Sequence, residues 1–208
     1  LRRFFAFLAV LSTRHIKQKR PLAAASPLVE EIAHTATNLA YKKIGGLMVF
    51  PGNETIEHFL EGGKILDGVI SQELIESIFD PSSPGHDGAM IIQRDRIAQF
   101  AVHLPLSKNL KELKGRGTRH SAALGITERS DALCVVISEE RGKISTASHG
   151  KLKELLDEKE LAAHLNTFLK EKFPEQSRRA VDYIIKKNSF EKVVALACAI
   201  LFKLLLNR

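Results

Sequence analysis

The chain has 208 residues, of which 44% are hydrophobic, and this is enough to form one domain of ordinary size with extensions. Its formal net charge of +7 is carried largely by residues 2–20, which precede the first acidic residue, Glu30. The absence of Trp and the presence of only two Tyr argue against a stacking surface for single-stranded nucleic acid, and we expect no nucleic-acid partner. The two Cys form neither a disulfide framework nor a zinc site, which is typical of a reducing cytoplasm.

Both ends of the chain carry apolar residues flanked by basic ones. Residues 1–26 predict a basic leader or linker helix near a membrane, whose apolar stretch is shorter than the roughly 20 residues that span a bilayer. Residues 190–208 predict an apolar helix, and the sequence leaves open whether it packs on the protein or is a truncated membrane anchor. The positive-inside rule then predicts a cytoplasmic central domain at the inner face of the cell membrane, with membrane association through either terminus.

The first half of the chain predicts a helix, a short strand and a second helix. Residues 27–43 have apolar side chains at helical spacing, acids early and bases late, and Gly45 and Gly46 end this helix. Ser71 is predicted to cap a later helix. The remaining predicted elements are a strand over 47–50, one or two helical turns at 54–60, a loop at 61–63, an extended segment over 64–70 and a helix over 72–79.

From residue 89 onward the hydrophobic pattern alternates as in strands. Residues 90–92 with 97–104 predict one hairpin, and 132–137 with 144–147 predict another, with a helix over 118–128 between them. Residues 152–173 predict a charged helix pair whose inner side consists of leucines, namely Leu155, Leu156, Leu161, Leu165 and Leu169. Together these elements predict an α/β or α+β fold, with a mixed sheet and helices outside it.

A first polar cluster lies in the loop before the first hairpin. His86 and Asp87 place an imidazole and a carboxylate, both able to bind a metal, directly before Gly88 and Ala89. The small side chains of Gly88 and Ala89 let a ligand approach the backbone closely. This loop is therefore a candidate catalytic or metal-binding segment.

A second polar cluster lies at the start of the helix predicted over 118–128. It presents a hydroxyl, a guanidinium, an imidazole and another hydroxyl in succession, from Thr118, Arg119, His120 and Ser121. With Thr118 as the predicted N-cap, the backbone N–H groups, the helix dipole and the Arg fork all favour phosphate oxygens. The cluster is therefore a predicted anion site.

Together the two clusters resemble the DGA and RHR motifs of the diadenylate cyclase (DAC) family, of the membrane-associated type, whose members join two ATP molecules into cyclic di-AMP. The resemblance covers roughly residues 28–150, including segments 64–68, 71–79, 102–105 and 130–142. It implies a mixed, twisted central β-sheet surrounded by helices and a catalytic domain over 27–150. C-terminal helices over 151–189 would follow this domain.

The resemblance also implies roles for single residues. Asp87 would be catalytic, either accepting the proton of the attacking 3′-hydroxyl or holding the metal that acidifies it, and these two roles stay open. A divalent ion (Mn²⁺, Mg²⁺ or Co²⁺) would be held by His86 and Asp87, with one of Glu139 and Glu140 completing the site. ATP would be bound by Gly88, Ala89, Leu104, Thr118, Arg119, His120 and Ser121. Ser121 departs from the family pattern, which usually has Arg there, and two consequences stay open: weaker phosphate affinity, or a single neutral hydrogen bond from Ser121 in place of the guanidinium. The departure bears on catalytic rate more than on fold.

Two further expectations concern assembly and alternatives. The product has two equivalent links and the sequence has one copy of each motif, so we expect a transient homodimer with ATP at the interface of two facing subunits. The alternatives to a cyclase are a catalytically weak or inactive nucleotide-binding module of the same fold, or a membrane-surface interaction protein that acts through its two ends.

Overall fold

A computed structural model of the protein describes residues 25–173. The predicted leader, up to residue 24, and the segment from 174 onward, including the predicted apolar helix over 190–208, lie outside the described residues. None of the helices within the described range is long and apolar enough to cross a membrane.

The described part of the chain contains seven strands and five helices. The helices are α1 (Ala25–Tyr41), α2 (Gln72–Phe79), α3 (Leu110–Leu113), α4 (Thr118–Thr127) and α5 (Glu158–Lys172), and a single 3₁₀ turn covers Glu57–Phe59. The strands are β1 (Gly46–Phe50), β2 (Glu61–Val69), β3 (Ala89–Gln93), β4 (Arg96–His103), β5 (Leu133–Ile137), β6 (Ile144–Ser148) and β7 (Lys151–Glu154).

All seven strands form one mixed sheet in the order β2-β4-β3-β1-β5-β6-β7. Only β1 and β3 run parallel, and every other neighbouring pair is antiparallel. The two predicted hairpins are confirmed as the pairs β3–β4 and β5–β6. The predicted mixed sheet with helices outside it is therefore confirmed.

The two faces of the sheet bury different side chains, because successive residues of a strand point to opposite faces. On one face, Met48 and Met90 belong to a cluster with the apolar residues of α1, α2 and α5. On the other face, Val49 and Ile91 belong to a second cluster that includes Ala123 and other residues of α4. Helix α4, which carries the predicted anion site, therefore packs on one face of the sheet, and the other longer helices described, α1, α2 and α5, pack on the opposite face.

Two predicted elements differ from the structure. The segment predicted as a loop at 61–63 is the start of β2, an edge strand that pairs with β4. Gly62 and Gly63 have positive φ, and their conformation does not end the strand. The helix pair predicted from residue 152 is wrong at its start, because Lys151–Glu154 is a strand paired with β6. Leu156 is also not on the inner side, since it is 93% exposed in the connection to α5.

The helix predicted over 27–43 is α1, which ends at Tyr41 and has no acid in its first turn and no base in its last. The helix predicted over 72–79 has the predicted bounds. Ser71 caps α2, its side chain accepting a hydrogen bond from Leu74 N at 3.2 Å. Four of the five leucines predicted to face inward, namely Leu155, Leu161, Leu165 and Leu169, are buried. In α5, the N-cap Asp157 accepts from Glu160 N at 2.8 Å, with acids in the first turn and lysines in the last.

Candidate active site

Arg119, in the first turn of α4, joins the two polar clusters. Its Nη1 donates to Glu139 Oε2 at 2.7 Å, and its Nη2 donates to the backbone carbonyl of His86 at 3.5 Å. Its Nε is buried and has no hydrogen-bond partner within the described residues. A buried guanidinium N–H without an acceptor is costly, and an anionic ligand is the kind of group that would satisfy it.

Gly45 makes room for this ion pair. A Cβ at position 45 would collide with the guanidinium Nη1 and would lie 2.7 Å from Glu139 Oε2 and 2.8 Å from Arg119 Cζ. The sequence predicts Gly45 only as the end of α1, and its contact with a pair formed 74 and 94 positions later in the chain has no local sequence signal. Gly45 is therefore a site residue that sequence reasoning missed.

The loop before β3 holds His86 and Asp87 in different environments. His86 Nδ1 donates to the backbone carbonyl of Ser83 at 2.6 Å, which leaves Nε2 as the ring nitrogen able to accept a proton or bind a metal. The Asp87 side chain is exposed, and its carboxylate makes no hydrogen bond or ion pair with the part of the chain that the structure describes. The Nε2 lone pair of His86 and the carboxylate oxygens of Asp87 are thus available to bind a ligand.

Gly88 fixes the course of the backbone directly after Asp87. Its φ is +113°, and a Cβ there would lie 2.7 Å from the carbonyl carbon of Ala101 in β4. Ala101 itself has a φ of +54°, and the register between β3 and β4 shifts between Ala89 and Ile91. Strand irregularities of this kind occur often beside active sites, where they redirect the chain. Both the conformation and the close packing require glycine at position 88.

A cavity of about 240 Å³ lies between the start of α4 and the turn that follows β5. It is lined by residues 116–120 and 137–141, which include Thr118, Arg119, His120, Glu139 and Glu140 from the predicted set. The other predicted residues, namely His86, Asp87, Gly88, Ala89, Leu104 and Ser121, are not among its lining residues. The contact between Arg119 and the His86 carbonyl connects this cavity to the Asp87 loop.

His120 is the most deeply buried ionisable side chain of the cavity, with 6% of its surface exposed. Burial, followed by the positive charges of Arg116 and Arg141, lowers the pKa of His120 to about 4, although Glu154 acts in the opposite direction. The ring is therefore neutral at pH 7 and can donate one hydrogen bond. Its nitrogens make no hydrogen bond to any of the described residues.

Thr118 and Ser121 are placed differently from what the sequence predicts. Thr118 is the first residue of α4 and is not its N-cap, which is Gly117 without any side-chain cap bond. The helix therefore begins one residue earlier than a Thr118 cap implies, because Gly117, whose backbone is extended with φ −73° and ψ −174°, is the N-cap. The Ser121 hydroxyl donates to the carbonyl of Ser107 at 2.9 Å, so its donor is already used within the protein.

Leu104 and Ala89 lie beneath the site in the core cluster that α4 covers. Leu104 is 9% exposed, at the end of β4 where the chain turns toward α3. The segment after it is held to α4, since Ser107 N donates to the carbonyl of Ser121 at 3.0 Å and Ser107 Oγ donates to Glu128 Oε1 at 2.7 Å. Contact of Leu104 with a base stays a prediction.

The predicted metal ligands do not form a closed metal site. Within residues 25–173, no three His, Cys, Asp or Glu side chains come together in a cluster able to hold a metal ion. His86 Nε2 and the Asp87 carboxylate are free donors, whereas Glu139 is paired with Arg119. A divalent ion in a nucleotide site often takes one or two protein ligands and fills its other positions with phosphate oxygens and water. The residues present fit such an ion.

Comparison with known proteins gives the chain its family. The sequence profile described as DisA bacterial checkpoint controller nucleotide-binding (DAC) matches residues 33–152. The chain is similar to diadenylate cyclase CdaS of Bacillus thuringiensis, with 41% identity over 62% of this chain and 66% of that protein. It is also similar to cyclic di-AMP synthase CdaA of Bacillus subtilis, with 35% identity over 79% of this chain and 60% of that protein.

A solved structure agrees with these sequence matches. DacA from Staphylococcus aureus, solved as a double cysteine mutant, has 39% identity and a TM-score of 0.66, covering 72% of this chain and 97% of that one. The chain spans somewhat less than two thirds of the length of the curated relatives named above. The family profile covers more than half of the chain, including both polar clusters, and the chain belongs to the DAC family.

Proposed function

We propose that this protein is a diadenylate cyclase, which condenses two ATP molecules into cyclic di-AMP and releases two pyrophosphates. In each of two transfers, a ribose 3′-oxygen bonds to the α-phosphorus of the other ATP, the bond from that phosphorus to the β-phosphate bridging oxygen breaks, and the hydroxyl proton is lost. The relatives named as diadenylate cyclase and cyclic di-AMP synthase support this proposal.

The observation that carries the proposal is the position of Arg119. Its guanidinium contacts both the His86 carbonyl and Glu139, so a single cation lies between the Asp87 loop and the cavity. Phosphoryl transfer depends on positioning and on neutralising phosphate charge more than on covalent chemistry by the protein. A cation held against the backbone of the Asp87 loop, whose carboxylate is free among the described residues, meets both needs.

The other residues have supporting roles in this proposal. Asp87 accepts the proton of the 3′-hydroxyl or holds the divalent ion, since its carboxylate has no other partner among the described residues. Gly88 and Ala89 present their backbone to the nucleotide, and Leu104 packs on the base. Arg119 neutralises phosphate charge, and neutral His120 donates a hydrogen bond to a phosphate oxygen.

The implied cofactor is a divalent metal, Mn²⁺, Mg²⁺ or Co²⁺. His86 and Asp87 would hold it, with one of Glu139 and Glu140 as a further ligand, and it would supply phosphate neutralisation and a lower pKa for the attacking hydroxyl. The partners are ATP and a second copy of the chain. Membrane association through the two ends stays a prediction, because both ends lie outside the described residues.

The test is product formation by the full chain with a matched pair of variants. The protein is incubated with ATP and Mn²⁺ or Mg²⁺, and cyclic di-AMP is detected by mass. Asp87→Asn keeps the size of the side chain but removes its charge, and we expect ATP to bind while turnover falls by at least about a hundredfold. Asp95→Asn, in the turn between β3 and β4, is the control and should keep full activity.

Three outcomes separate the alternatives. Cyclic product that depends on Asp87 supports the cyclase. Bound ATP without any product in the wild-type protein would instead support the inactive nucleotide-binding module. If the protein neither bound ATP nor turned it over, both proposals would fail and a role of its two ends would be the remaining hypothesis.

A further inference from the structure

The cavity beside α4 contains two arginines that no role described above uses. Arg116, Arg119 and Arg141 all line it, from both of its sides, against two acidic side chains, Glu139 and Glu140. Arg119 contacts Glu139 and the His86 carbonyl, and the proposed function already assigns it to phosphate. Arg116 and Arg141 therefore supply the remaining positive charge of this cavity.

The guanidinium groups of Arg116 and Arg141 make no hydrogen bonds with the described part of the chain. The Arg116 side chain is mostly buried and forms an ion pair with Glu154, with 3.6 Å between Nη2 and Oε2, but this distance is too long for a hydrogen bond. The guanidinium of Arg141 makes no hydrogen bond or ion pair with the described part of the chain. Both cations keep most of their donors available for a ligand.

His120 provides an independent sign that a ligand belongs in this cavity. Its ring is more than nine-tenths buried, lines the same cavity and has no hydrogen bond to the described residues. Arg116 and Arg141 line this cavity with it, and their charges act with burial to lower the pKa of His120 to about 4. Because the ring is neutral and its nitrogens have no hydrogen bond among the described residues, its N–H is available to an anion bound in the cavity.

The position of the cavity relative to the Asp87 loop indicates which part of ATP it would take. Asp87 is not among the lining residues, and Arg119 lies between the Asp87 loop and the cavity. An α-phosphate attacked beside Asp87 therefore leaves the β- and γ-phosphates to extend past Arg119 toward His120. The leaving pyrophosphate gains charge as its bond to the α-phosphorus breaks, which is where additional guanidinium groups act most strongly.

We infer that Arg116 and Arg141, together with His120, bind the outer phosphates of ATP and stabilise the leaving pyrophosphate. They take the place of the guanidinium that family members carry at position 121, where this chain has Ser121 bonded to the Ser107 carbonyl. The inference rests on the proposed function, since it takes ATP as the ligand.

The test measures binding of three probes to the full chain: inorganic pyrophosphate, ATP and AMP, each with Mg²⁺, by calorimetry. We expect Arg141→Gln and Arg116→Gln each to weaken pyrophosphate and ATP binding by at least about tenfold, because each removes a charged hydrogen bond. AMP has no outer phosphates, so its affinity should stay within about twofold. The control is Lys159→Gln, which removes one positive charge from α5 on the opposite face of the sheet.

Unchanged pyrophosphate and ATP affinity in both variants would overturn the inference, as would an equal loss for AMP or an equal loss in Lys159→Gln. If pyrophosphate alone binds too weakly to measure, the comparison of ATP with AMP decides, and a wild-type protein that binds neither nucleotide overturns it too. Arg141→Gln keeps the test valid if Arg116→Gln fails to fold, because Arg141 is exposed.

The result is separable from the test of the proposed function. A wild-type protein that forms cyclic di-AMP while both variants bind ATP normally would refute the outer-phosphate site and leave the cyclase standing. A wild-type protein that binds ATP in an Arg141-dependent way without forming product would support the outer-phosphate site and refute the cyclase.

Discussion

At the scale of single residues, the site depends on Gly45, where a side chain would occupy the space of the ion pair between Arg119 and Glu139. Gly45 leaves the space in which the Arg119 guanidinium meets Glu139, and the adjacent Gly46 packs instead against Ile137 and Phe79 in the core. A partly exposed ion pair contributes little to folding, about 0–1 kcal/mol. The space at Gly45 therefore serves the position of Arg119 more than the stability of the fold.

Gly45→Ala and Gly46→Ala should consequently have opposite effects. A methyl group at position 45 displaces the Arg119 guanidinium, and we expect turnover to fall by about tenfold or more, with little change in melting temperature. A methyl group at position 46 lies 3.1 Å from Ile137 Cδ1 and overpacks the core, which costs about 1–3 kcal/mol and should keep activity per folded molecule. Turnover and thermal unfolding of both variants check this, and equal activity losses would contradict it.

His120 should couple stability to pH in a defined window. Its pKa is lowered from 6.5 to about 4 in the folded chain, so between these values the unfolded chain binds a proton that the folded chain does not. The free energy of unfolding therefore falls as the pH falls through this window, and His120 contributes no pH dependence above it.

The measurement is urea unfolding of the wild-type protein and of His120→Gln at about pH 7.5 and pH 5. We expect the wild-type protein to lose more stability on acidification than the variant. His164, whose pKa is also lowered by partial burial, is present in both proteins and cancels in the comparison. Equal losses in the two proteins would mean that His120 is not held neutral in the folded state.

At the scale of elements, sequence periodicity succeeded where a segment makes its contacts locally. Helix α2 with its Ser71 cap and the hairpin of β5 and β6 have the predicted positions. Residues 152–154 were predicted as the start of a helix pair because the leucines that follow them have helical spacing, yet pairing of Lys151–Glu154 with the edge of β6 makes this segment a strand. This outcome depends on tertiary context, which local pattern does not contain.

The site shows the same limit more sharply. Each polar cluster is visible in the sequence, because its residues are consecutive. The ion pair of Arg119 with Glu139 joins elements 20 positions apart, and the space for it comes from Gly45 on another connection. The proximity of Arg116 and Arg141 to His120 likewise arises only when α4 packs beside β5.

Helix α4 also fixes the segment after β4, and Ser121 is central to this contact. Ser121 exchanges two hydrogen bonds with Ser107, and Gly125 packs so closely on this segment that a Cβ there would collide with the Pro105 carbonyl. Two roles are thus open to Ser121: the phosphate contact predicted from the sequence, or an anchor for the segment that follows Leu104. The existing bond to Ser107 favours the anchor.

Ser121→Ala distinguishes these roles. As an anchor, Ser121 contributes one neutral hydrogen bond, so we expect the free energy of unfolding to fall by about 1 kcal/mol and ATP affinity to stay within about twofold. If Ser121 is instead a phosphate ligand, the variant should lose ATP affinity while its free energy of unfolding stays nearly unchanged. Denaturant unfolding and calorimetry with ATP measure both quantities on the same sample, and a clear loss of ATP affinity with unchanged stability would rule out the anchor.

At the scale of the whole molecule, the proposed reaction needs more than one chain. Cyclic di-AMP has two equivalent links, each made by one ATP attacking the other, whereas the sequence has one copy of each polar cluster. Two facing chains related by a two-fold axis supply two identical half-sites. If the contact forms mainly around substrate, the dimer is transient, and specific activity should rise with protein concentration at saturating ATP.

Mixing wild-type chains with Asp87→Asn chains tests this arrangement directly. At a protein concentration where nearly all chains are paired, random pairing in an equal mixture leaves about one quarter of the dimers fully wild-type, so cyclic product should be about half of what the same amount of wild-type protein gives without the variant. A mixed dimer keeps one working half-site, which makes one link and releases one pyrophosphate, so a linear dinucleotide that retains a 5′-triphosphate should accumulate. Mass spectrometry resolves the linear from the cyclic product.

Asp95→Asn chains in the same mixture are the control and should produce no linear species above the wild-type level. Cyclic product proportional to the wild-type fraction alone, with no linear species and with a monomer throughout by ultracentrifugation, would show that one chain completes both links.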